Sequence, residues 1–161
     1  MLFRSLRAVL RAADHRGPRT VLTAMLLEHF DVPQPQLLLH EVYHHHLKPA
    51  AIGALASCVQ SAFSQGDQAA AGILRGAADE LEGSALSVAR RLELTAEAFT
   101  FILSGGIFRA VPWLAEELAQ RLPITAPHST TMLLEREPAE GAVTIALQEA
   151  AGGARIPVYK Q

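Results

Sequence analysis

The segment from residue 99 to residue 118 restricts the possible folds of this chain more than any other. It begins with five residues, Phe99–Leu103, that are apolar or β-branched and too few for a helical repeat, so they predict a buried strand. The serine and two glycines at 104–106 then end the strand. Pro112 suits a first helical turn, and the apolar residues after it follow a helical period that closes at Pro123. The segment therefore predicts a strand, a glycine turn and a helix in succession.

The turn at Gly105 and Gly106 is a candidate ligand site. Two adjacent glycines allow another molecule to approach the backbone closely, because neither residue has a Cβ. In an α/β domain such a turn lies at the carboxyl end of a strand, where ligands usually bind, and the amino end of the next helix favours anions. A tight turn without a function is the simpler interpretation of the same residues, so the glycine pair alone does not establish a site.

Helical patterns account for most of the rest of the chain. Apolar periodicity and turn residues predict further helices over 1–13, 18–30, 36–46, 49–64, 68–92 and 142–151, a second strand over Thr131–Glu135 and an irregular tail over 152–161. With the helix after Pro112, the expected fold has about seven helices and two strands. Two strands joined by a crossover helix can pair in parallel, but such a pair normally belongs to a larger sheet with both faces covered. We therefore expect a helix-rich α/β fold.

The junction at residues 64–67 and the long helix after it carry specific local signals. Gly66 can adopt the left-handed conformation that ends one helix, and the Asp67 carboxylate can accept hydrogen bonds from the free amides that begin the next. Glycines within the long helix predict close packing against a neighbour, at Gly72, Gly76 and Gly83. The residues of this helix expected in the core are Ile73, Leu74, Ala77, Leu81, Ala85, Leu86 and Val88.

Composition excludes several classes of protein. The 161 residues, half of them hydrophobic, suffice for one domain with a core. A net charge of −2 without long basic blocks gives no reason to expect a nucleic-acid partner. Arginines interrupt the apolar residues of the first helix every few positions, which predicts an amphipathic helix and neither a secretory signal nor a membrane span. Cys58 is the single cysteine, so no internal disulfide forms; it fits a reducing cytoplasm and is expected to be a buried thiol.

Residues His40, Glu41 and His44 match the HExxH pattern of zinc proteases. On a helix the two histidines share a face and could hold zinc while the glutamate activates a bound water. The extended pattern with a glycine and a third histidine is absent, although Glu80 or Glu82 could supply a third ligand. The alternative interpretation is a solvated histidine run at the end of a helix, which binds nickel or zinc only adventitiously.

Five segments, in order along the chain, resemble the carboxyl-terminal part of the BadF/BadG/BcrA/BcrD-type ATPases, the group that includes N-acetylglucosamine kinases. These segments are LRAVLRAADHRGPRTVLTAMLLEHF at 6–30, Glu41-Val42-Tyr43, the run from Ala56 to Leu81 with QGDQAAAGILRGAADEL, LSGGIFRAVPWL at 103–114, and the Pro-x-x-Gly-Ala at 138–142. Together they span nearly the whole chain, from residue 6 to residue 142. One departure is His15, which stands where the family pattern has a glycine in the turn.

The resemblance implies a ribonuclease-H-like lobe of the sugar kinase, Hsp70 and actin superfamily, in which two such lobes clamp ATP. Residues 1–161 would form the carboxyl-terminal lobe, with a partial version of that fold. The same resemblance implies that Gly105 and Gly106 form the turn against which adenosine lies and that Ala110, at the start of the next helix, lies near the base. It places Gln60 on the opposite wall of the adenine slot.

Other parts of the family pattern have no counterpart in these 161 residues, namely the phosphate-binding glycine loops, the catalytic aspartate and the sugar-binding residues. Phosphoryl transfer depends on positioning and on charge neutralisation by metal ions and donors. We therefore expect no kinase activity from the chain alone and assign no catalytic or metal-binding residue; ATP, magnesium and an amino sugar are expected ligands of the complete enzyme.

Two alternatives to the kinase lobe stay open. The first is a non-catalytic interaction module or remnant, which pairs with a separately encoded amino-terminal half or self-associates at its apolar strand edge. The second is a zinc hydrolase that uses the HExxH pattern.

Overall fold

The computed structural model describes residues 1–44, 49–136 and 138–153, with the side chains of 2, 43, 44, 49–52 and 138 left out. Within these ranges the chain is a helix-rich α/β fold with eight α-helices and two strands. In order they are α1 (Leu2–Ala13), α2 (Leu22–Phe30), α3 (Leu37–His44), α4 (Pro49–Ser64), α5 (Gln68–Arg91), β1 (Thr100–Leu103), α6 (Gly106–Ala110), α7 (Pro112–Thr125), β2 (Thr130–Leu133) and α8 (Pro138–Ala150), with a 3₁₀ turn at Leu94–Ala96 before β1.

The core lies where α1, α4 and α7 pack on α5. The amphipathic character predicted for α1 is confirmed, because Leu6 and Val9 are buried while Arg7 and Arg11 are exposed. The side chains with less than 2 % of their surface accessible include Leu26, Leu55, Val59, Leu74, Leu114, Leu118 and Leu122. Among the described residues, no helix is both long and apolar enough to span a membrane.

The two strands form the parallel pair that the sequence predicts. Their register aligns Thr100 with Thr130 and Leu103 with Leu133, and α6 and α7 make the crossover between them. The expectation that β1 is buried on both faces is wrong, since Leu103 is buried but Ile102 is 48 % exposed. Met132 pairs with Ile102 on the same outer face of the sheet and is 51 % exposed, so this face is only partly covered.

The junction between α4 and α5 has the predicted geometry. Gly66 is left-handed with φ 81°, and the side chain of Asp67 accepts a hydrogen bond from the Ala70 amide at 2.8 Å. The second oxygen of the same carboxylate accepts from the Val21 amide, also at 2.8 Å. This contact holds the residue before α2, and the helix begins at Leu22, four residues later than predicted.

The glycines of α5 do not serve the close helix packing that the sequence led us to expect. A Cβ added at Gly72 or Gly83 would have no atom within 4 Å, and one added at Gly76 would meet only the Arg4 side chain, at 3.7 Å. Four of the seven core positions predicted on α5 are buried, Ile73, Leu74, Ala77 and Leu86. Ala85 is half-buried, while Leu81 and Val88 are exposed, because this part of α5 borders open grooves.

Several other boundaries differ from the predictions. The short helix α6 was missed, since five residues are too few to show a period. Helix α7 continues through Pro123 to Thr125, because a proline removes one helical donor while the Ala126 amide still donates to the Leu122 carbonyl at 3.1 Å. Helix α8 begins at Pro138, four residues earlier than predicted, with proline in the first turn. The predicted helix at 36–46 and tail at 152–161 lie partly outside the described residues.

Arg121 joins α7 to α5 through three carboxylates. Its Nη1 lies 2.6 Å from Asp79 Oδ1 and 3.4 Å from Glu82 Oε2, and its Nη2 lies 2.6 Å from Glu117 Oε1. Three acidic groups around one guanidinium would repel each other without it, so the arginine stabilises the contact between the two helices.

The substitution Arg121→Met is therefore expected to lower the free energy of unfolding by about 1–2 kcal/mol, because it leaves three carboxylates close together. Urea denaturation at low and high salt measures the effect, which shrinks as salt screens the repulsion. Arg75→Met, at an exposed position of α5, is the control, and we expect it to change the free energy of unfolding by less than about 0.5 kcal/mol. Equal losses for the two variants would contradict a role for this ion-pair cluster.

Candidate functional site

A cavity of about 810 Å³ lies between α4, α5 and the turn that follows β1, and the amino end of α1 reaches it. Its lining consists of Met1, Arg4, Gly53, Ala54, Ala56, Ser57, Ala77, Glu80, Leu81, Ser84, Gly106, Ile107, Ala110 and Leu114. Ligand sites of small molecules are typically concave, mostly apolar and about 300–1,000 Å³ in volume. The cavity has the size and the character of such a site.

The turn after β1 is built so that its backbone borders this cavity. Gly105 has φ 117°, a conformation that residues with a Cβ rarely adopt, and it caps the short helix α6. Gly106 begins α6, and an added Cβ there would meet no atom within 4 Å. The buried Phe108 then anchors α6 in the core. This arrangement of strand, turn and anchored helix places the backbone of Gly106, which has no Cβ, beside the cavity.

The structure brings two of the four predicted site residues into the cavity lining, Gly106 and Ala110. Gly105 is the neighbour of one of them and does not line the cavity itself. Ala110 is the last residue of α6, not the first residue of the next helix as predicted. It still lines the cavity because α6 is a single short turn of helix that packs on α4.

Gln60 lies on α4 about one helical turn beyond Ser57, outside the lining of the cavity. Its side-chain nitrogen donates to the Ser64 hydroxyl at 3.3 Å. Its side-chain oxygen is buried and has no hydrogen-bond partner among the described residues. A buried carbonyl oxygen without a donor is unfavourable, so this side chain contributes little to the stability of α4.

The walls of the cavity carry small side chains. Ala54 on α4, Ala77 on α5 and Ala110 on α6 contribute only methyl groups to the walls, which leaves room for an apolar ring between the helices. Polar side chains are few: Ser57 and Ser84 line it from opposite helices, and the Ser84 hydroxyl donates to the Glu80 carbonyl at 2.8 Å. The described lining therefore offers apolar contact over most of its area and hydrogen bonds at a few points.

One ion pair lies at the mouth of the cavity. The guanidinium of Arg4 on α1 contacts the carboxylate of Glu80 on α5 with both terminal nitrogens, Nη1 at 3.3 Å from Oε2 and Nη2 at Oε1. Glu80 is 70 % exposed at its side chain, so the pair belongs to the rim. It gives the rim a negative and a positive group next to an otherwise apolar space.

The sequence model of the BadF/BadG/BcrA/BcrD ATPase family matches residues 1–146. The chain belongs to the BadF/BadG/BcrA/BcrD ATPase family. The resemblance seen in the ordered sequence segments is thereby confirmed. The chain is 27 % identical over 146 residues to the N-acetylmuramic acid/N-acetylglucosamine kinase of Clostridium acetobutylicum. The match covers 91 % of the chain and 48 % of the kinase. The chain thus spans about half the length of the relative it matches.

Sequence reasoning missed the part of the cavity lining that α1 and α5 supply. On α5 the spacing of Ala77, Glu80 and Ser84 places these residues on one helical face, a signal that was available in the sequence. Leu81 shares that face and was predicted to be core, but it lines the cavity instead. Nothing local in the sequence marks Arg4 as a partner of Glu80, since 76 positions separate them.

The HExxH pattern lies on α3. Nδ1 of His40 is 3.9 Å from the Glu41 carboxylate, while the side chain of His44 and residues 45–46 lie outside what the structure describes. Glu80 and Glu82 are engaged by arginines. Over the described side chains, no three histidine, cysteine or acidic residues are placed to share a metal ion.

Cys58 lies on the described part of α4 and is half-buried, where the sequence predicted a buried thiol. Burial raises the pKa of this thiol, so the reactive thiolate is disfavoured at neutral pH.

Proposed function

We propose that this chain is the carboxyl-terminal lobe of an ATP-dependent sugar kinase or ATPase and that it binds the adenosine part of ATP in the cavity beside Gly106. The lobe would be a partial ribonuclease-H-like unit covering residues 1–161. The observation that carries the proposal is that Gly106 and Ala110, which the family motif marks as adenosine contacts, line one cavity together with small residues of α4 and α5.

The chemistry of the cavity supports this ligand. A purine is flat and apolar on both faces, and alanine walls on α4, α5 and α6 allow a flat ring between them. The turn exposes backbone at Gly106 with no Cβ in the way, which permits close approach of the ring. Gln60, one turn further along α4, lies outside this lining, and its buried side-chain oxygen is not exposed to a base in the cavity.

In this proposal the chain binds the nucleotide and does not by itself transfer the phosphoryl group. The glycine loops and the aspartate that the family pattern uses for transfer have no counterpart in the 161 residues. Magnesium and the sugar therefore belong to the complete enzyme. The relative from Clostridium acetobutylicum is named a kinase of N-acetylmuramic acid and N-acetylglucosamine, so an amino sugar is the proposed substrate class.

Hydrogen exchange of the whole chain with and without ATP and magnesium tests the location of the site. We expect slower exchange in three separate segments, the part of α4 at 53–57, the part of α5 at 77–84 and residues 106–110, because a ligand in the cavity contacts all three. ATP-dependent protection that spares these segments and appears elsewhere, for example along α2 or α8, would contradict the proposed site.

A second candidate function is that of an interaction module, and the outer face of the sheet favours it. Ile102 and Met132, paired across the strands, are 48 % and 51 % exposed. Parallel sheets are normally covered on both faces, and a contiguous exposed apolar surface marks a contact site. Helix α8 adds exposed apolar residues at Val143, Ile145 and Leu147. The partner of this surface would be a separately encoded amino-terminal half that packs on the outer face of the sheet.

Without that partner, the purified chain is expected to self-associate through the outer sheet face. The double substitution Ile102→Lys and Met132→Lys places charges on this face and is expected to give a monomer, with little loss of thermal stability because both residues are exposed. Light scattering after size-exclusion chromatography measures the mass. Val88→Lys, an exposed change on α5, is the control and should leave the association as it is. A wild-type monomer at high concentration would contradict the expectation.

A further inference from the structure

The binding of a flat base does not require the ion pair between Arg4 and Glu80. We propose that Glu80 recognises the ribose of the bound nucleotide, accepting hydrogen bonds from its two neighbouring hydroxyl groups, and that Arg4 is the positioning residue for that carboxylate. This inference rests on the proposed function, since it assigns one part of the nucleotide to one part of the cavity rim.

The geometry of the pair leaves acceptors free. Both terminal nitrogens of Arg4 contact Glu80, one on each carboxylate oxygen. Each carboxylate oxygen accepts about two hydrogen bonds, so the arginine occupies one acceptor position per oxygen and leaves one on each. One acceptor position thus stays free on each oxygen of the Glu80 carboxylate. These two positions match the two donors of a ribose 2′,3′-diol, whose hydroxyl groups are on neighbouring carbons.

The position of Glu80 along α5 agrees with this role. Ala77 and Ser84 lie one turn before and one turn after it and line the same wall of the cavity. The carboxylate is 70 % exposed, so the polar end of this wall faces the solvent while its small residues face the apolar space. A ligand that is apolar at one end and rich in hydroxyl groups at the other satisfies both parts of the cavity.

A glycine on α5 leaves room for the Arg4 side chain to reach the Glu80 carboxylate. Gly76 lies one turn before Glu80, and a Cβ added there would be 3.7 Å from Cζ of Arg4 and from no nearer described atom. The bare helix surface lets the guanidinium lie along α5 and reach the carboxylate from α1. Arg4 thus fixes which way the carboxylate points, and it needs no contact with the nucleotide itself.

Calorimetric titration of the whole chain with ADP and with 2′,3′-dideoxy-ADP, both with magnesium, tests the inference. The wild type is expected to bind ADP about tenfold more tightly, because two hydrogen bonds to a charged acceptor are lost in the dideoxy compound. Glu80→Ala is expected to reduce that preference to less than about twofold and to leave the Kd of the dideoxy compound unchanged. Arg4→Met is expected to lower the preference to an intermediate value. Glu116→Ala, an exposed change on α7, is the matched control and keeps the preference.

The results separate this inference from the one on which it rests. A preference for ADP that survives in Glu80→Ala overturns the role of Glu80, even where the chain binds both nucleotides. A wild-type chain that binds both nucleotides equally well also overturns it and leaves the adenosine site standing. A folded wild type that binds neither nucleotide overturns the adenosine site itself, and the inference with it. Circular dichroism of each variant establishes that it is folded.

Discussion

The substitution Gly106→Trp is expected to weaken ATP binding at least about a hundredfold and to leave the fold intact. The side chain at this position enters open space, since an added Cβ has no neighbour within 4 Å. An indole there fills the space between the alanine walls that the base would occupy, and the binding free energy lost with the base contact is about 3 kcal/mol. Because Gly106 is helical and does not have positive φ, tryptophan adopts its backbone conformation without strain.

The matched control for this substitution is Gly83→Trp. Gly83 also lies in a helix with no atom within 4 Å of an added Cβ, but it does not line the cavity. Its variant carries the same added surface and is expected to bind ATP within about twofold of the wild type. Calorimetry gives the two affinities, and thermal unfolding shows whether the variants remain folded. Equal losses in the two variants would show that the tryptophan acts through stability or solubility and not through the cavity.

The second large effect is expected on stability. Asp67→Ala is expected to lower the free energy of unfolding by about 2–3 kcal/mol, because one carboxylate stabilises two separate segments. One oxygen accepts from the Ala70 amide at the start of α5, and the other accepts from the Val21 amide before α2, both at 2.8 Å. Urea denaturation measures the change. Asp67→Asn keeps one acceptor oxygen, so its loss should be smaller; a loss as large as that of the alanine variant would contradict the hydrogen-bond account.

The same carboxylate makes stability depend on pH. Burial alone raises the pKa of Asp67, but the amides of Ala70 and Val21 and the Thr20 hydroxyl outweigh it, and the pKa lies below its ordinary value of 3.8. A carboxyl whose pKa is lower in the folded state stabilises that state above its unfolded pKa, and this contribution is lost as the pH falls through the folded pKa. The stability difference between wild type and Asp67→Asn should therefore be constant above about pH 5 and shrink below about pH 4.

Features that depend on neighbouring residues could be predicted from the sequence. The junction at Gly66 and Asp67 is one, because a left-handed glycine and a capping carboxylate act within one turn of their own positions. The parallel pair of strands is another, since the crossover helix between them dictates it. Helix α6 could not be predicted, because five residues between a glycine turn and Pro112 are too few to show a period.

Features that depend on which elements meet in space could not be predicted. The exposure of Ile102 follows from what covers the sheet, which the five-residue apolar run at Phe99–Leu103 does not reveal. For the site, the family motif pointed to Gly106 and Ala110, and both line the cavity. The ion pair of Arg4 and Glu80 arises from the packing of α1 on α5, so no local pattern marks it.

We propose that this chain by itself carries a site for the adenosine part of ATP, and calorimetric titration of the purified wild-type chain with ATP and magnesium is the first experiment. We expect a saturable heat signal with one ATP bound per chain. ADP should give the same signal, because the site holds the adenosine and not the transferred phosphate. A chain that is folded by circular dichroism and gives no binding heat with either nucleotide, across several temperatures, would contradict the account.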